Sequence, residues 1–364
     1  MNSDNHRSGD GVGADVTSLH ERRFSRRDFG RLALGSAAFG MLAGSELAGT
    51  AGASNRLRRS ALTKVTLQTS WVPNPEFGSL YVAEKKGYWT KEGLDVTLLP
   101  GGPNVALTAV VASGKALVAM NSVTQVALAN KSAGSEKFKI IGAEFQKSPY
   151  AIVSLPTKPL SKPADLKGTK IGVAAGDVDS FKAFLKINHI AQSTVTVVPI
   201  SFTTTPLTSG QVDGQVVFFT TQSVSLNIAG HKTVTMLWAD FNFNQYNHCY
   251  FTLTSTIQHK QQELVELMAG IVEGAQMYVK SPDGTIGLVS SFYASSGVIT
   301  AKGALLAAKK YAEIMVSHTT EVHGLLWMGE AAANLQTMEA AGITGVPSSI
   351  FTNRILLKAY KALK

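Results

Sequence analysis

Cysteine is almost missing from this chain: one residue, Cys249, stands among 364. A single thiol excludes an intrachain disulfide and any metal site built on two thiolates. Its neighbours Tyr250 and Phe251 mark it as a small buried hydrophobe. Arginine is absent between Arg59 and Arg354, and the lysines after the cluster Arg56, Arg58 and Arg59 form no run longer than two. Nucleic-acid binding needs a basic stripe or patch, so the net charge of +9 reads as a solvated basic surface with no nucleic-acid partner. The signatures G-x-S-x-G, H-E-x-x-H, the Walker loop and a G-x-G-x-x-G after a strand are all missing, which argues against the enzyme classes they mark. His318 and His323 are five apart and do not share a helix face, so they read as surface or capping residues. No cofactor, no metal and no catalytic residue is expected.

Long apolar runs are also scarce. The one at the start, Leu32 to Gly44, is too short for a stable membrane span. It follows Ser25-Arg26-Arg27-Asp28-Phe29 and precedes Ala51-Gly52-Ala53. A charged start, a short apolar middle and a small-residue end make residues 1–53 a signal peptide, of the twin-arginine type by its Ser-Arg-Arg-x-Phe motif. The expected mature chain begins at Ser54 and works outside the cytoplasmic membrane, periplasmic or at the cell surface. At 45% hydrophobic and 16% charged residues, the full sequence has the balance of a globular protein with room for two domains.

What is present is concentrated in Trp71 to Asn104. Val65 to Thr69 alternates as a strand does, and Trp71-Val72-Pro73-Asn74-Pro75 then breaks it. Glu76 to Lys86 has a helical pattern closed by Gly87. Asp95 to Leu99 is a second strand. Pro100-Gly101-Gly102-Pro103 leads into a helix predicted from Asn104 to Ser113. Strands and helices go on alternating, with strands at Leu117–Met120, Lys139–Gly142, Lys170–Val173, Thr194–Pro199, Gly214–Phe219 and Thr233–Trp238. This pattern predicts parallel sheets covered on both faces. Tyr150–Leu155 and Asn247–Ser255 read as strands connecting two lobes, and from Ile257 onward the chain turns helical.

In such sheets ligands bind beyond the carboxyl ends of strands. The candidate ligand contacts are therefore the residues of the strand-end loops. Trp71 and Phe77 are candidates for stacking an aromatic ligand. Asn74 either bonds ligand or caps the helix after it. Gly101, Gly102 and Asn104 offer backbone N–H groups at a helix start, with Asn121 and Ser122 in the same geometry. Gln146 follows the fourth strand. Asp177 and Ser180 sit at a helix start where capping competes with binding, Thr220 follows a strand, and Tyr246 could belong to an opposing wall.

The ordered set Trp71-x-Pro73-Asn74, Gly78-x-Leu80-Tyr81-Val82-Ala83, Lys86-Gly87-Tyr88-Trp89 and Glu92-Gly93-Leu94-Asp95-Val96 resembles the solute-binding proteins of the taurine/nitrate/sulfonate and thiamine-pyrimidine-precursor group. The resemblance implies an α/β chain with a two-lobed periplasmic-binding-protein fold of type II. Each lobe would be a mostly parallel sheet flanked by helices, with a helical C-terminal extension. The expected partition puts 64–149 and 256–364 in lobe 1, 156–247 in lobe 2, and 150–155 and 248–255 as hinge strands. It further implies a monomer that takes a small-molecule ligand and delivers it to an ABC permease in the cytoplasmic membrane. The ligand would be a planar nitrogen heterocycle such as a thiamine pyrimidine precursor or a flavin. A sulfonate, taurine or nitrate is the rival, and it would call for cationic pairing that only Lys147 lies near enough to give. An enzyme that makes the thiamine pyrimidine is the alternative from another class; such relatives carry a cysteine-rich motif absent here. At position 77 the thiamine branch usually has histidine, and this chain has Phe77.

Overall fold

The computed structural model describes residues 61–102, 104–201, 203–297 and 299–364. The predicted signal peptide, 1–53, lies outside the described residues. The alternating segment near Val65 forms β1 (Thr63–Gln68). The proline-broken loop ends in a 3-10 turn, Pro75–Phe77, that runs into α1 (Gly78–Lys86). Gly87, at φ 68°, terminates α1 and starts α2 (Tyr88–Lys91). There follow β2 (Leu94–Leu99), α3 (Leu107–Ala112), β3 (Val118–Asn121), α4 (Val123–Ala133) and β4 (Phe138–Phe145). A second block comprises β5 (Tyr150–Ser154), β6 (Lys170–Ala174), α5 (Val178–Ile187), β7 (Thr196–Ile200), α6 (Thr205–Thr208), β8 (Gly214–Phe218), α7 (Gln222–Ile228) and β9 (Val234–Leu237). Then come β10 (Asn247–Leu253), α8 (Thr254–His259), α9 (Gln261–Lys280), α10 (Pro282–Val289), α11 (Ala301–Met315), α12 (His318–His323), α13 (Ala331–Ala340) and α14 (Arg354–Ala362).

Two five-stranded sheets result, in the orders β2-β1-β3-β10-β4 and β7-β6-β8-β5-β9. In each sheet one strand, next to an edge, runs against the others: β10 in the first and β5 in the second. The sheets are therefore mostly parallel and flanked by helices, as expected. Tyr150–Ser154 and Asn247–Leu253, read from sequence as connecting strands, are interior strands of the two sheets. Cys249 faces Asn121 on one side and Ala143 on the other, and Ile152 faces Val216 and Met236. Their apolar runs need partners on both edges, since an unpaired buried backbone is costly. The chain passes between the sheets just before each, at 146–149 and 238–246.

The core of the first sheet gathers around α9, whose Leu264, Leu267, Met268, Ile271, Val272 and Ala275 are all buried at helical spacing. Trp89 donates its indole N–H to the Leu267 carbonyl at 3.0 Å. α1 lies close on α9: a Cβ added to Gly274 would stand 2.1 Å from the Ser79 carbonyl oxygen. The second sheet has its own core, with Trp238 stacked on Tyr150 and on Phe184, each at 4.7 Å between centroids. The C-terminal helices also meet the second block, α11 against α7 and α13 against α5.

Candidate functional site

A cavity of about 780 Å³ opens where strand ends of both sheets converge. From the first sheet it takes the loop after β1, the loop after β2, the start of α4, and the beginning of β10. From the second it takes β5, the turn after β6, the segment after β7, and the end of β8 with the start of α7. This is the place predicted by the strand-end rule.

Of the residues expected to bind, Trp71, Asn74, Gly102, Asn121, Ser122 and Asp177 border the cavity. Ser122 caps α4 by accepting from the Gln125 N–H at 3.3 Å, and Asn121 accepts from the Ser122 N–H at 2.9 Å. Asn74 caps the 3-10 turn: its Oδ1 accepts from the Glu76 N–H, and its Nδ2 donates to a Glu76 carboxyl oxygen, both at 2.8 Å.

The glycine-rich loop departs from expectation. The helix predicted from Asn104 begins only at Leu107 and has six residues, so Gly101 and Gly102 do not sit at a helix start. The Gly101 N–H is spent on the Trp71 carbonyl at 3.0 Å and the Thr69 hydroxyl at 3.1 Å. A Cβ there would lie 2.4 Å from the Thr69 carbonyl oxygen. Gly101 thus serves close approach of two loops, and Asn104 is exposed away from the cavity.

Five further residues sit behind the cavity wall. Phe77 is fully buried and stacks on His248 at 5.3 Å. Gln146 is held by the Ile314 and Ala143 carbonyls. Ser180 is buried beside the Tyr150 hydroxyl, and Thr220 beside Tyr311. Tyr246 is buried, with its hydroxyl accepting from the Glu330 N–H. In each case the side chain faces the interior.

Sequence reasoning missed Glu76, Tyr150, Phe218 and His248, which all border the cavity. Glu76 is 4% exposed and His248 2%. Burial pushes the Glu76 carboxyl up to about 8, against the lowering effect of its bonds from Asn74 and Tyr311. Burial also pushes His248 down to about 3. Their closest atoms, Oε2 and Nε2, are 3.8 Å apart; with the carboxyl protonated and the imidazole neutral, this is a contact of two uncharged groups. His248 Nδ1 is buried with no hydrogen-bond partner, and the residue holds φ at 48°, in the left-handed region. Its ring is clamped between Phe77 and Phe145, the latter at 4.2 Å. Behind Glu76, burial raises Glu144 to about 7, although Ser79 and Tyr250 both donate to it.

On the other side, the Tyr150 hydroxyl donates to Asp177 at 2.8 Å. The surroundings push the Asp177 carboxyl upward, but it stays half-exposed and water softens the effect. Thr221 and Tyr311 share a hydrogen bond that ties the start of α7 to α11. The acidic residues bordering the cavity are Glu76, Asp177 and Asp179; no lysine or arginine borders it among the described residues. A signal for the missed residues existed. Glu76 is a lone charge between Pro75 and Phe77, and His248 is a lone imidazole in the apolar strand of Cys249, Tyr250 and Phe251.

The NMT1/THI5-like family model matches residues 74–285, from Asn74 in the loop after β1 through the whole second block and all of α9. The chain belongs to the NMT1/THI5-like family. Within reach of it in sequence is the riboflavin-binding protein RibY of Chloroflexus aurantiacus, 31% identical over 181 residues, a match covering 46% of this chain and 51% of RibY. The chain thus spans about half the length of this curated relative. Among solved structures, a Bordetella bronchiseptica protein superposes with a TM-score of 0.65 at 21% identity, over 84% of this chain and 98% of the other. The sulfonate-binding protein SsuA of Methylobacillus flagellatus superposes with a TM-score of 0.60 at 15% identity, over 83% and 95%. These likenesses establish the periplasmic-binding-protein fold for the family member described here.

Proposed function

We propose that this protein is an exported solute-binding component of an ABC importer, and that it holds a small planar nitrogen heterocycle between its two sheets. The observation that carries this reading is the composition of the cavity wall. Trp71 from one side and Tyr150 and Phe218 from the other supply aromatic faces, while the ionisable groups besides the neutral His248 are carboxyls alone. Aromatic stacking favours a flat ring, and N–H donors on that ring suit carboxyl acceptors. The volume of about 780 Å³ lies within the roughly 300–1,000 Å³ usual for small-molecule sites. The riboflavin-binding relative supports a flavin, and the thiamine-pyrimidine branch of the family supports an aminopyrimidine.

A sulfonate is the second reading, favoured by the SsuA fold likeness. A buried sulfonate needs cationic or multiple N–H partners, and the wall offers Glu76, Asp177 and Asp179 instead. The enzymatic alternative has less support: Cys249, the single thiol, is fully buried in the interior strand β10 and packs into the core around α4, away from the cavity lining.

The two sheets would act as lobes, and the crossings at 146–149 and 238–246 as the hinge. Export and capture in the periplasm or at the surface fit this role. No helix among the described residues is long and apolar enough to cross a membrane.

Calorimetric titration of the mature chain with 4-amino-5-hydroxymethyl-2-methylpyrimidine, riboflavin, taurine, an alkanesulfonate and nitrate tests the reading. Binding of either heterocycle in the micromolar range or tighter is the expected result. Binding of sulfonates alone would overturn it.

A further inference from the structure

The polar floor of the cavity is built from parts that the stacking wall does not explain. Glu76 is more than nine-tenths buried, yet its side chain borders the cavity. It is not a mobile surface acid: Asn74 fixes both its backbone N–H and one carboxyl oxygen, at 2.8 Å each. The other oxygen faces His248 Nε2 at 3.8 Å and the Tyr311 hydroxyl at 3.5 Å, so it has only long contacts. His248 beside it is equally under-used. Nδ1 has no partner, and Nε2 reaches only the Ser70 hydroxyl, at 3.5 Å. Two buried polar groups with spare hydrogen-bonding capacity are expensive to keep. His248 also sits at positive φ, a backbone cost that proteins carry mainly where a side chain must be aimed.

Resting on the proposed heterocycle-binding role, we propose that Glu76 is the specificity-determining residue of the cavity, reading a heterocycle edge on which an N–H donor stands next to a ring nitrogen or carbonyl acceptor. A protonated carboxyl donates through one oxygen and accepts through the other. That pattern complements the amino group and ring nitrogen of an aminopyrimidine, and equally the imide N–H and carbonyl of a flavin. Asn74 sets the plane of the carboxyl, and the Phe77–His248–Phe145 stack supports the floor behind it. Losing the proton removes the donor and leaves a buried anion facing an acceptor, which costs the pairing.

The proton therefore becomes a co-ligand in neutral to mildly alkaline solution. The titratable groups facing Glu76 are His248 from β10, Glu144 from β4, Tyr311 from α11, Tyr81 from α1 and Tyr278 from α9. Burial keeps His248 neutral down to about 3 and lets Glu144 titrate near 7. The three tyrosines are pushed upward, away from neutrality. Between pH 7 and pH 9 Glu76, near 8, passes from mostly protonated to mostly charged, while Glu144, near 7, completes its ionisation, and Glu76→Gln separates the two.

The test is calorimetric titration with riboflavin and with 4-amino-5-hydroxymethyl-2-methylpyrimidine at pH 7, 8 and 9, on the wild type, Glu76→Gln and Glu76→Leu. The wild type should bind its preferred probe about tenfold more weakly at pH 9 than at pH 7. Glu76→Gln, whose amide keeps one donor and one acceptor without a titrating proton, should show one affinity across that range. Glu76→Leu should lose at least about tenfold at pH 7, with melting curves recorded to confirm that each variant is folded. A slope that persists in Glu76→Gln, or a wild type that binds equally at all three pH values, overturns the role of Glu76 while leaving the heterocycle reading intact. Failure of the wild type to bind either probe overturns both.

Discussion

The two walls of the cavity are built differently. The wall on the first sheet is deep: Asn74, Glu76 and His248 are buried and interlocked, and the long helix α9 presses α1 against the sheet behind them. The wall on the second sheet has Tyr150, Gln215 and Thr221 buried at its back but an open rim. Its turn Ala175–Gly176–Asp177 is half-exposed or open, and Asp179 is exposed. A buried polar group can discriminate between ligands because leaving it unpaired is costly, whereas an exposed one falls back on water. On the proposed function, the interlocked first wall would carry most of the recognition and the open rim of the second would cover the ligand, with buried Gln215 as the second wall's polar contact.

Disturbing the packing behind the deep wall should have the largest effect. Gly274→Ala forces a methyl group against the Ser79 carbonyl, and should destabilise the protein by about 2–3 kcal/mol in urea unfolding. A loss below about 0.5 kcal/mol would mean that α1 and α9 yield easily and the first wall is not rigid. Next comes Trp71→Ala, which removes the one stacking face on the deep side. It should weaken heterocycle binding by about tenfold in calorimetry, combining lost stacking with lost contact area. If affinity is unchanged, stacking belongs to Tyr150 and Phe218 on the opposite wall.

The deep wall also has a signature in stability against pH. Glu76 and Glu144 hold their protons in the folded state up to about 8 and 7. Their contribution is complete below the ordinary carboxyl range near 4.5 and is lost as pH rises through those values. His248 acts in the opposite sense: held neutral, it costs stability only as pH falls from about 6.5 toward 3. Between pH 6.5 and 8.5 the carboxyls act alone, so the melting temperature should drop by about 2–4 °C across that window. The double variant Glu76→Gln, Glu144→Gln should flatten the profile; an unchanged slope would locate the titrating groups elsewhere. Asp179→Asn, on the open rim of the second wall, should alter ligand affinity by less than about twofold, as screening by water implies. A larger loss would give that rim a share in recognition.

Much of this was legible in the sequence, and the illegible part has a physical reason. Proline and glycine punctuation located the strand-end loops, and helical and alternating patterns gave nearly every strand its place. What periodicity cannot give is direction and facing. β5 and β10 look like any apolar strand, and only their partners reveal that they run antiparallel. Glu76 and Phe77 stand side by side in one 3-10 turn; which of them meets the ligand depends on His248, far along the chain, whose ring occupies the face of Phe77. The charged residue went to the cavity and the aromatic one to the core, the reverse of expectation. Ser180, Thr220 and Tyr246 were chosen for their positions near strand and helix ends, but their side chains are turned inward by neighbours that no local pattern specifies.

The placement of β10 bears on how the chain reaches this state at all. The strands of the second sheet follow one another without interruption from Tyr150 to Leu237, so that sheet is complete as soon as its last strand has left the ribosome. The first sheet, begun much earlier at Thr63, stays divided into β2-β1-β3 and a solitary β4 until β10 is inserted between them. Closing so long a loop is slow, and the edges of β3 and β4 remain open meanwhile, the kind of surface on which chains stick to one another. The middle of the chain, Tyr150 to Leu237, should therefore be the first to gain protection from amide exchange during refolding, and the β3-β10-β4 seam of the first sheet the last.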